Sequence, residues 1–272
     1  ANALDAAAVR RIYAVKGRPA GSPLIVHVDS VEQARALASS WPGTAERLAQ
    51  WFWPGPLTLV VHKAAEIPDE ATGGLPTVGL RMPAHPMALA LIRAAGVPLA
   101  APSANRFSEL SPTRAEHVQR SLGTDVDLVL DGGPTVLGIE STVLSLTGAK
   151  PVLLRPGAVT REELEARIGV VETAAAPVEG VAHESPGQHP RHYAPRTPLV
   201  LVESGHLPQK GRGVYLAPGE GMPVEARGYA AALYATLHEL DQQGWDWIAM
   251  ETPPATPEWE AVRDRLERAA AR

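Results

Sequence analysis

The amino-acid sequence predicts an α/β fold over its first part, followed by a second and smaller α/β unit. Short apolar runs alternate with segments of helical period, and three of the helical segments open with a capping-box pattern. After residue 172 the composition changes to a stretch rich in Pro, Gly and Ala that has no period. These observations predict an α/β domain over residues 1–172, a linker over 173–197 and a small α/β domain over 198–272.

The elements of the first domain are predicted from local signals. Helices are expected where apolar residues recur at helical spacing, where a capping box opens the segment or where glycine ends it. The predicted helices are residues 5–16, 30–39, 86–95, 113–122 and 160–169. Strands are expected where short apolar runs lie between Gly-rich and Pro-rich turns. The predicted strands are residues 24–28, 57–62, 77–81, 97–101, 128–130, 141–146 and 152–154.

The small domain is predicted from the same signals. Its strands are expected at residues 199–203, 213–216 and 247–250, and its helices at residues 229–243 and 258–270. No glycine fingerprint follows its first strand, so the sequence does not predict a dinucleotide site there.

Composition excludes several classes of function. The chain contains no cysteine, which excludes disulfides, thiol nucleophiles and Cys-ligated metals, and which suits a reducing cytoplasm. Its net charge of -5 at pH 7 argues against general coating of nucleic acid. No apolar run reaches the roughly 18 residues needed to cross a bilayer, and no signal-peptide pattern opens the sequence. We therefore expect a cytoplasmic protein without a membrane partner.

A basic loop follows the first predicted helix. Lys16 and Arg18 flank Gly17, so a point charge, a planar fork of donors and backbone N–H groups can face one anion. The loop is therefore a candidate phosphate cradle. The alternative is a basic cap at a helix C-terminus, where cations are favoured in any protein. On the tripeptide alone, the cap is the simpler interpretation.

Polar side chains also follow several predicted strands and turns. These are Arg81, Ser103, Asn105, Ser141 and Arg155. Ligands of open α/β sheets bind at the carboxyl ends of strands, so we expect a crevice with four cations once Lys16 and Arg18 are included. Four cations and several hydroxyls suit a polyphosphate, and one arginine could hold a carboxylate. For each arginine alone, a surface salt bridge is the alternative.

Serine and histidine residues allow further interpretations. Ser103 lacks the G-x-S-x-G elbow and has no evident base, so a hydrogen-bonding role is favoured over a nucleophilic one. His183, His189 and His192 lie in the linker without metal-ligand spacing, which favours a polar loop covering a site over a metal centre. His27 ends an apolar strand, where a histidine is more often a satisfied core residue than a ligand.

Six blocks, in order, resemble the YrdC-type domain family. The blocks are KGRPAGSPLIVHV, FWPGPLTLVV, VGLRMP, PLAAPSAN, STVLSL and LLRPG. The tail SPGQHPRHYAP, followed by a small α/β domain, resembles the long, two-domain form of the L-threonylcarbamoyladenylate synthases. The resemblance covers nearly the whole chain. It implies a YrdC-like twisted mixed sheet with flanking helices and a small Rossmann-like C-terminal domain.

The resemblance implies a nucleotidyltransferase that uses L-threonine, bicarbonate and ATP. Its products would be threonylcarbamoyl-AMP and pyrophosphate, with Mg²⁺ bridging the phosphates and few or no protein ligands to the metal. A separate tRNA threonylcarbamoyl transferase complex would take the product to the adenosine beside the anticodon of ANN-decoding tRNAs. No stable binding of tRNA by the chain itself is expected.

The resemblance also implies site residues. The catalytic positions would be Lys16, Arg18, Ser103 and Asn105. The ATP-binding positions would be Lys16, Arg18, Ser22, Thr77, Ser103, Ser111, Arg155, Ser185, Arg191 and Tyr193. The L-threonine positions would be His27, Arg81, the backbone of Ala101, and Ser141. Ser185, Arg191 and Tyr193 would belong to a linker that closes over the site and excludes water.

One feature of the family is missing from the sequence. The family's domain opens with a strand and a P-T-E-T-V-Y-G-L-type loop that supplies a threonine-binding hydroxyl. We expect that segment to precede residue 1; the alternative is a chain that lacks part of the substrate site. Two other functions remain open at this point: an RNA-binding module without catalysis, and a relative that processes other carbamoyl-adenylates.

Overall fold

The structure, a computed structural model, describes residues 1–174, 192–203 and 206–271. These residues form two compact units, each built from two parts of the chain. The first unit comprises Ala1–Pro102 and the described residues from Ser141 to Ala174; the second comprises Ser103–Glu140 and the described residues from His192 onward. The segment Ser103–Glu140, which the sequence-based division places in the first domain, packs in the second unit through apolar residues such as Leu110.

The elements of the first unit follow the predicted order. Its helices are α1 (Ala6–Lys16), α2 (Val31–Ala36), α3 (Gly43–Phe52), α4 (Asp69–Thr72), α5 (Pro86–Ala95) and α7 (Arg161–Ile168). Helix α6 (Ala115–Leu122) lies between α5 and α7 in sequence and belongs to the second unit. Its strands are β1 (Ile25–His27), β2 (Leu57–His62), β3 (Thr77–Arg81), β4 (Leu99–Ala100), β5 (Thr142–Ser145), β6 (Val152–Arg155) and β7 (Glu172–Thr173). Among the described residues these strands form one sheet in the order β4-β1-β3-β2-β5-β6-β7.

The sheet of the first unit is mixed, as predicted. Strand β1 is parallel to β3, β3 is antiparallel to β2, and β2 is parallel to β5. Strand β6 is antiparallel to β5, so β3 and β6 end at the edge where β2 and β5 begin. This edge therefore collects residues that are far apart in sequence.

Local signals explain most helix ends. Asp5 caps α1 by accepting from Ala7 N at 2.8 Å, and Gly17 ends the helix with a φ of 62°. Thr160 and Glu163 form the reciprocal bonds of a capping box at the start of α7. At the start of α2, Ser30 accepts from Gln33 N as predicted.

Three features of the sequence-based assignment are corrected. Thr113 does not cap α6; its backbone N–H instead donates to His117 Nδ1 at 3.2 Å. Residues 128–130 do not form a strand, because no neighbouring strand pairs with them, and Leu128 is 74% exposed. The sequence also fails to predict α3, because Pro42 precedes it without a side-chain cap.

The second unit contains α6 and the C-terminal elements. These elements are β8 (Leu199–Val202), β9 (Gly213–Pro218), β10 (Gly221–Met222), α8 (Ala226–Leu240), β11 (Trp247–Glu251) and α9 (Glu260–Ala270). Four parallel strands form its sheet, in the order β10-β9-β11-β8 among the described residues. Leu233 and Leu237 of α8 pack with Leu266 of α9 in an apolar core, as expected for a small parallel α/β unit.

Candidate active site

The basic loop of the first unit is closed by Arg18. Its guanidinium donates to the Ser22 hydroxyl at 2.5 Å, to the Ser22 carbonyl at 3.3 Å and to the Pro23 carbonyl at 3.0 Å. The Tyr13 hydroxyl donates to the same Ser22 carbonyl at 2.8 Å. Lys16 and Arg18 are only 5% and 7% exposed, so these cations are not the solvated groups of an ordinary helix cap. Arg18 therefore stabilises the conformation of the loop in which it was predicted to bind phosphate.

Arg81 lies at the polar edge of the same unit's sheet. Its Nε donates to the Gly55 carbonyl at 2.9 Å, and no carboxylate pairs with it among the described residues. Burial, first, and the positive charge of Arg155 lower the pKa of Arg81 to about 10. Two guanidinium groups close enough to oppose each other's charge favour an anion between or beside them.

Arg155 is held at this edge by Ser141. Its Nη2 donates to the Ser141 carbonyl at 2.9 Å and to the Ser141 hydroxyl at 3.2 Å, while its Nε donates to the same carbonyl at 3.1 Å. The Ser141 hydroxyl also lies 2.8 Å from the Thr58 hydroxyl. The side chains of Arg155, Ser141 and Thr58 thus form one hydrogen-bonded group beside Arg81.

His27 lies opposite Arg81 in the pairing of β1 with β3. Its Nδ1 is buried and has no hydrogen-bond partner among the described residues. Burial, chiefly, and then the charge of Arg81 lower the pKa of His27 to about 3, so the imidazole is neutral at pH 7. An unpartnered polar atom is costly in a folded protein unless a ligand or water satisfies it. The Nδ1 atom of His27 is therefore a candidate contact for a ligand.

The basic loop and the arginine edge lie at opposite ends of β1. The loop ends at Pro23, two residues before β1 begins, and Arg81 pairs with the last residue of the strand, His27. At about 3.3 Å per residue, Pro23 and His27 are roughly 13 Å apart along the chain. Thr77 begins β3, and Ala101 N donates to the Ile25 carbonyl at 3.2 Å, so both lie nearer the loop than Arg81 does. One ligand that contacts both groups must be extended.

The second unit carries the other predicted polar residues. Asn105 is 1% exposed and donates from Nδ2 to the Glu109 carbonyl at 2.9 Å. Ser111 is buried, and its hydroxyl donates to Glu140 Oε1 at 2.6 Å. Ser103 is half-buried just before Asn105. The side-chain amide of Asn105 therefore holds its own loop in place. This contact suits a residue that positions the loop better than one that is exposed to solvent.

Only part of the predicted linker can be placed. Tyr193 is 1% exposed and packs against the Tyr234 ring at 5.7 Å, within the core of the second unit. His192 packs against Tyr193, with ring centroids 4.0 Å apart. This end of the linker is therefore packed structure. The remaining predicted linker positions, Ser185 and Arg191 together with His183 and His189, lie outside the described residues.

Sequence reasoning missed Glu140 and Arg265. Glu140 accepts from Ser111, from Tyr234 Oη at 3.2 Å and from Arg265 Nε at 2.8 Å. The only sequence signal for Glu140 is an acidic residue between two uncharged neighbours in the segment GIEST. Arg265 gives no signal, because it lies in a helix with many other charges.

A stacked histidine pair also lies in the second unit. The rings of His117 and His238 have centroids 3.8 Å apart, and His238 Nε2 lies 3.1 Å from the Ser111 carbonyl. Burial, first, and then the charges of His238 and Arg120 lower the pKa of His117 to about 4. Burial likewise lowers the pKa of His238. Both rings are therefore neutral in the folded protein at pH 7.

This pair is expected to make stability depend on pH. The pKa of His117 is lower in the folded state than its unfolded value of about 6.5, so its contribution is present above pH 6.5 and is lost as the pH falls toward 4. We expect about 1–2 kcal/mol of stability to be lost between pH 7 and pH 5. Urea unfolding at several pH values measures this loss. The variant His117→Gln should show a smaller loss than wild type.

The exposed His206 of the same unit provides the matched control. His206→Gln should retain the wild-type pH dependence. An equal pH dependence in wild type, His117→Gln and His206→Gln would contradict the assignment.

No group of three or more His, Cys, Asp or Glu residues within the described ranges could hold a metal ion. No helix in the described part of the chain is long and apolar enough to cross a membrane.

The fold and this geometry define the class: an α/β protein with a mixed sheet, a buried basic loop and an arginine pair that favours an anion. The Sua5/YciO/YrdC family, described as "Telomere recombination", matches residues 1–157. The family described as "Threonylcarbamoyl-AMP synthase, C-terminal domain" matches residues 159–271. The chain belongs to the two-domain threonylcarbamoyl-AMP synthase family, which confirms the predicted relationship.

Individual relatives cover nearly the whole chain. The threonylcarbamoyl-AMP synthase of Bacillus subtilis is 41% identical over 299 residues, covering 99% of this chain and 85% of the relative. The protein of the same name from Pyrococcus abyssi is 50% identical over 294 residues, covering 99% and 86%. The solved structure "P. abyssi Sua5 complexed with L-threonine" superposes with a TM-score of 0.93 and 39% identity, covering 99% of this chain and 86% of that one.

Proposed function

We propose that this chain is an enzyme that forms threonylcarbamoyl-AMP from L-threonine, bicarbonate and ATP, with release of pyrophosphate and water. One observation carries the proposal: Arg81 has no carboxylate partner among the described residues, in a chain that superposes on a relative solved with L-threonine. A half-buried guanidinium without a carboxylate is stabilised by an anionic ligand. The α-carboxylate of L-threonine is such an anion.

The threonine end of the proposed site lies at the arginine edge. The guanidinium of Arg81 would pair with the α-carboxylate through a two-bond fork. His27 is neutral, because its pKa is about 3, so its Nδ1 would exchange a hydrogen bond with the substrate rather than a charge. Ser141, fixed by Arg155, would present its hydroxyl to the same substrate. The resemblance also implies a contact from the backbone of Ala101, which lies nearer the basic loop than Arg81 does.

The phosphate end of the proposed site lies at the basic loop. Lys16 and Arg18 would bind the triphosphate, with Ser22 and Thr77 nearby in the same unit. By resemblance to the family, Ser103, Asn105, Ser111, Arg155, Ser185, Arg191 and Tyr193 are proposed as further nucleotide contacts.

The proposed reaction needs no covalent intermediate on the protein. The amine of L-threonine combines with bicarbonate to give a carbamate and water. A carbamate oxygen then attacks the α-phosphorus of ATP, the bond from that phosphorus to the bridging oxygen breaks, and pyrophosphate leaves. Positioning the two reactants and neutralising the phosphate charge are the tasks left to the residues. The reaction makes the enzyme a nucleotidyltransferase.

ATP is proposed to enter as its magnesium complex. The phosphate oxygens and water are proposed to supply most of the ligands of Mg²⁺, as is common for this ion. The product is proposed to pass to a tRNA threonylcarbamoyl transferase complex, without stable binding of tRNA by this chain.

Release of pyrophosphate by the purified protein tests the proposal. We expect release when ATP, L-threonine and bicarbonate are all present, and loss of at least about tenfold when L-threonine or bicarbonate is omitted. Release that is indifferent to L-threonine contradicts the proposal. Salt-sensitive binding of RNA without binding of ATP would instead favour an RNA-binding module.

A further inference from the structure

The carboxylate of Glu140 is fully engaged inside the second unit. Its Oε2 accepts from Arg265 Nε at 2.8 Å and from Tyr234 Oη at 3.2 Å. Its Oε1 accepts from the Ser111 hydroxyl at 2.6 Å. Burial, first, and the nearby Glu140 carboxylate raise the pKa of Tyr234 well above its ordinary value, so its hydroxyl remains protonated and donates. Helices α8 and α9 thus hold one face of this carboxylate, and Ser111 takes the other.

Arg265 is itself held in place within α9. Its side chain is 0% exposed, and its Nη1 donates to Asp264 Oδ2 at 2.5 Å. Arg268 Nε donates to the other oxygen of Asp264 at 3.0 Å. A buried arginine between two carboxylates keeps Glu140 ionised, and an ionised carboxylate only accepts hydrogen bonds.

This arrangement fixes the direction of the Ser111 hydroxyl. Because Glu140 only accepts, the hydroxyl proton of Ser111 points to Oε1, which leaves the lone pairs of Oγ for another group. His238 Nε2 lies 3.1 Å from the Ser111 carbonyl, so the backbone of this residue is held as well. Ser111 Oγ can therefore accept from a ligand but cannot donate to it. A phosphate oxygen, which also only accepts, is excluded as its partner.

We infer that Glu140, held by Arg265 and Tyr234, is a positioning residue that makes Ser111 an acceptor for a hydrogen-bond donor of the nucleoside. The inference rests on the proposed function, which assigns Ser111 to ATP. The donors that ATP offers away from its phosphates are the ribose hydroxyls and the exocyclic amine of adenine. Ser111 thus contributes to recognition of the nucleoside.

The variant Glu140→Gln is expected to reverse the direction of the hydrogen bond between Ser111 and residue 140. Arg265 and Tyr234 both donate to Oε2, so the glutamine oxygen is expected there and its amide group faces Ser111 as a donor. The electrostatic effect of this substitution on ATP would be the opposite of weaker binding. Removing the negative charge of Glu140 should strengthen the binding of anionic ATP. Weaker binding in this variant therefore points to positioning and not to charge alone.

Binding of ATP, 2′-deoxy-ATP, 3′-deoxy-ATP and inosine triphosphate, measured by calorimetry, tests the inference. We expect wild type to bind one analogue about tenfold more weakly than ATP. Glu140→Gln and Ser111→Ala should each weaken ATP binding by about the same factor and lose the discrimination against that analogue. The double variant should bind ATP no more weakly than Ser111→Ala alone, because Glu140 acts through Ser111.

Two tyrosine variants test the same inference without relying on the folding of Glu140→Gln. Tyr234→Phe removes a hydroxyl that donates to Glu140, and Tyr215→Phe removes one that donates to Glu251 in the same unit. Only Tyr234→Phe should weaken ATP binding, by about threefold, with unchanged affinity for L-threonine.

Three results overturn the inference. They are equal binding of all four nucleotides by wild type, retained discrimination in Glu140→Gln, and equal ATP affinity in the two tyrosine variants. Wild type that binds ATP but releases no pyrophosphate would refute the proposed reaction and leave the binding test valid. Absence of ATP binding by wild type would refute both.

Discussion

Arg81→Gln is expected to weaken the binding of L-threonine about 100-fold while changing the affinity for ATP less than about threefold. The guanidinium has no carboxylate partner among the described residues, so a substrate carboxylate would be its main counter-charge. Truncating one partner of a buried charge pair costs about 2–5 kcal/mol, which corresponds to at least a 30-fold loss. Calorimetric titration with each substrate measures both affinities.

The stability of Arg81→Gln separates this role from a structural one. Removing the charge relieves repulsion by Arg155 but also removes the bond from Nε to the Gly55 carbonyl, so the melting temperature should change little. Arg93→Gln is the matched control. The Arg93 side chain is 61% exposed, and its Nε is 3.9 Å from Asp29 Oδ2, which is a long ion pair at the surface. Loss of stability with unchanged threonine affinity in Arg81→Gln would mean that Arg81 serves the fold and not the substrate.

Arg18→Gln is expected to weaken ATP binding about 10-fold to 100-fold, with threonine affinity retained. Charge-assisted hydrogen bonds are worth about 1.5–3 kcal/mol each, and the variant loses the charge that would face the phosphates. Because Arg18 also donates to Ser22 and Pro23, a small part of the loss will come from the loop itself. Arg18→Lys, which keeps the charge without the fork, should fall between wild type and Arg18→Gln.

Arg10 supplies the control for the basic loop. It lies on the same helix, α1, and its side chain is 60% exposed beside Glu70. Arg10→Gln should bind ATP as wild type does. If Arg10→Gln and Arg18→Gln weaken ATP binding equally, general charge attraction accounts for the effect and the loop is not a phosphate cradle.

Local chemistry made much of the fold predictable. The ends of β2 and β3 and of helix α5 follow from patterns within a few residues, and the structure has them at the predicted positions. The capping box at Thr160 formed because both of its partners lie within one helical turn. The similar pattern at Thr113 did not, because His117 takes the backbone N–H of Thr113. A local signal is decisive only where no nearby side chain competes.

Long-range pairing explains what the sequence could not predict. Residues 128–130 have the composition of a buried strand, but a strand needs a partner and none of the described residues supplies one. The Glu140–Arg265 pair joins residues 125 positions apart, and no periodicity indicates such a contact. The proximity of Arg81 and Arg155 likewise depends on antiparallel pairing that reverses strand directions within the sheet.

The residue types of the candidate site could be predicted from the sequence, but the contacts among these residues could not. The sequence indicated cations and hydroxyls, and the structure shows Ser141 bound to Arg155 and Ser22 bound to Arg18. It could not indicate that Arg18 closes its own loop. The neutral state of His27 also depends on burial beside Arg81, which only the folded chain creates.

The central claim is that the chain joins L-threonine, bicarbonate and ATP in one product. Mass spectrometry of the product formed from ¹³C-bicarbonate tests this most directly. We predict a single new species that contains threonine, AMP and one ¹³C atom, formed in equal amount to pyrophosphate. A threonine–AMP species without the label, or pyrophosphate without any labelled adenylate, would contradict the account.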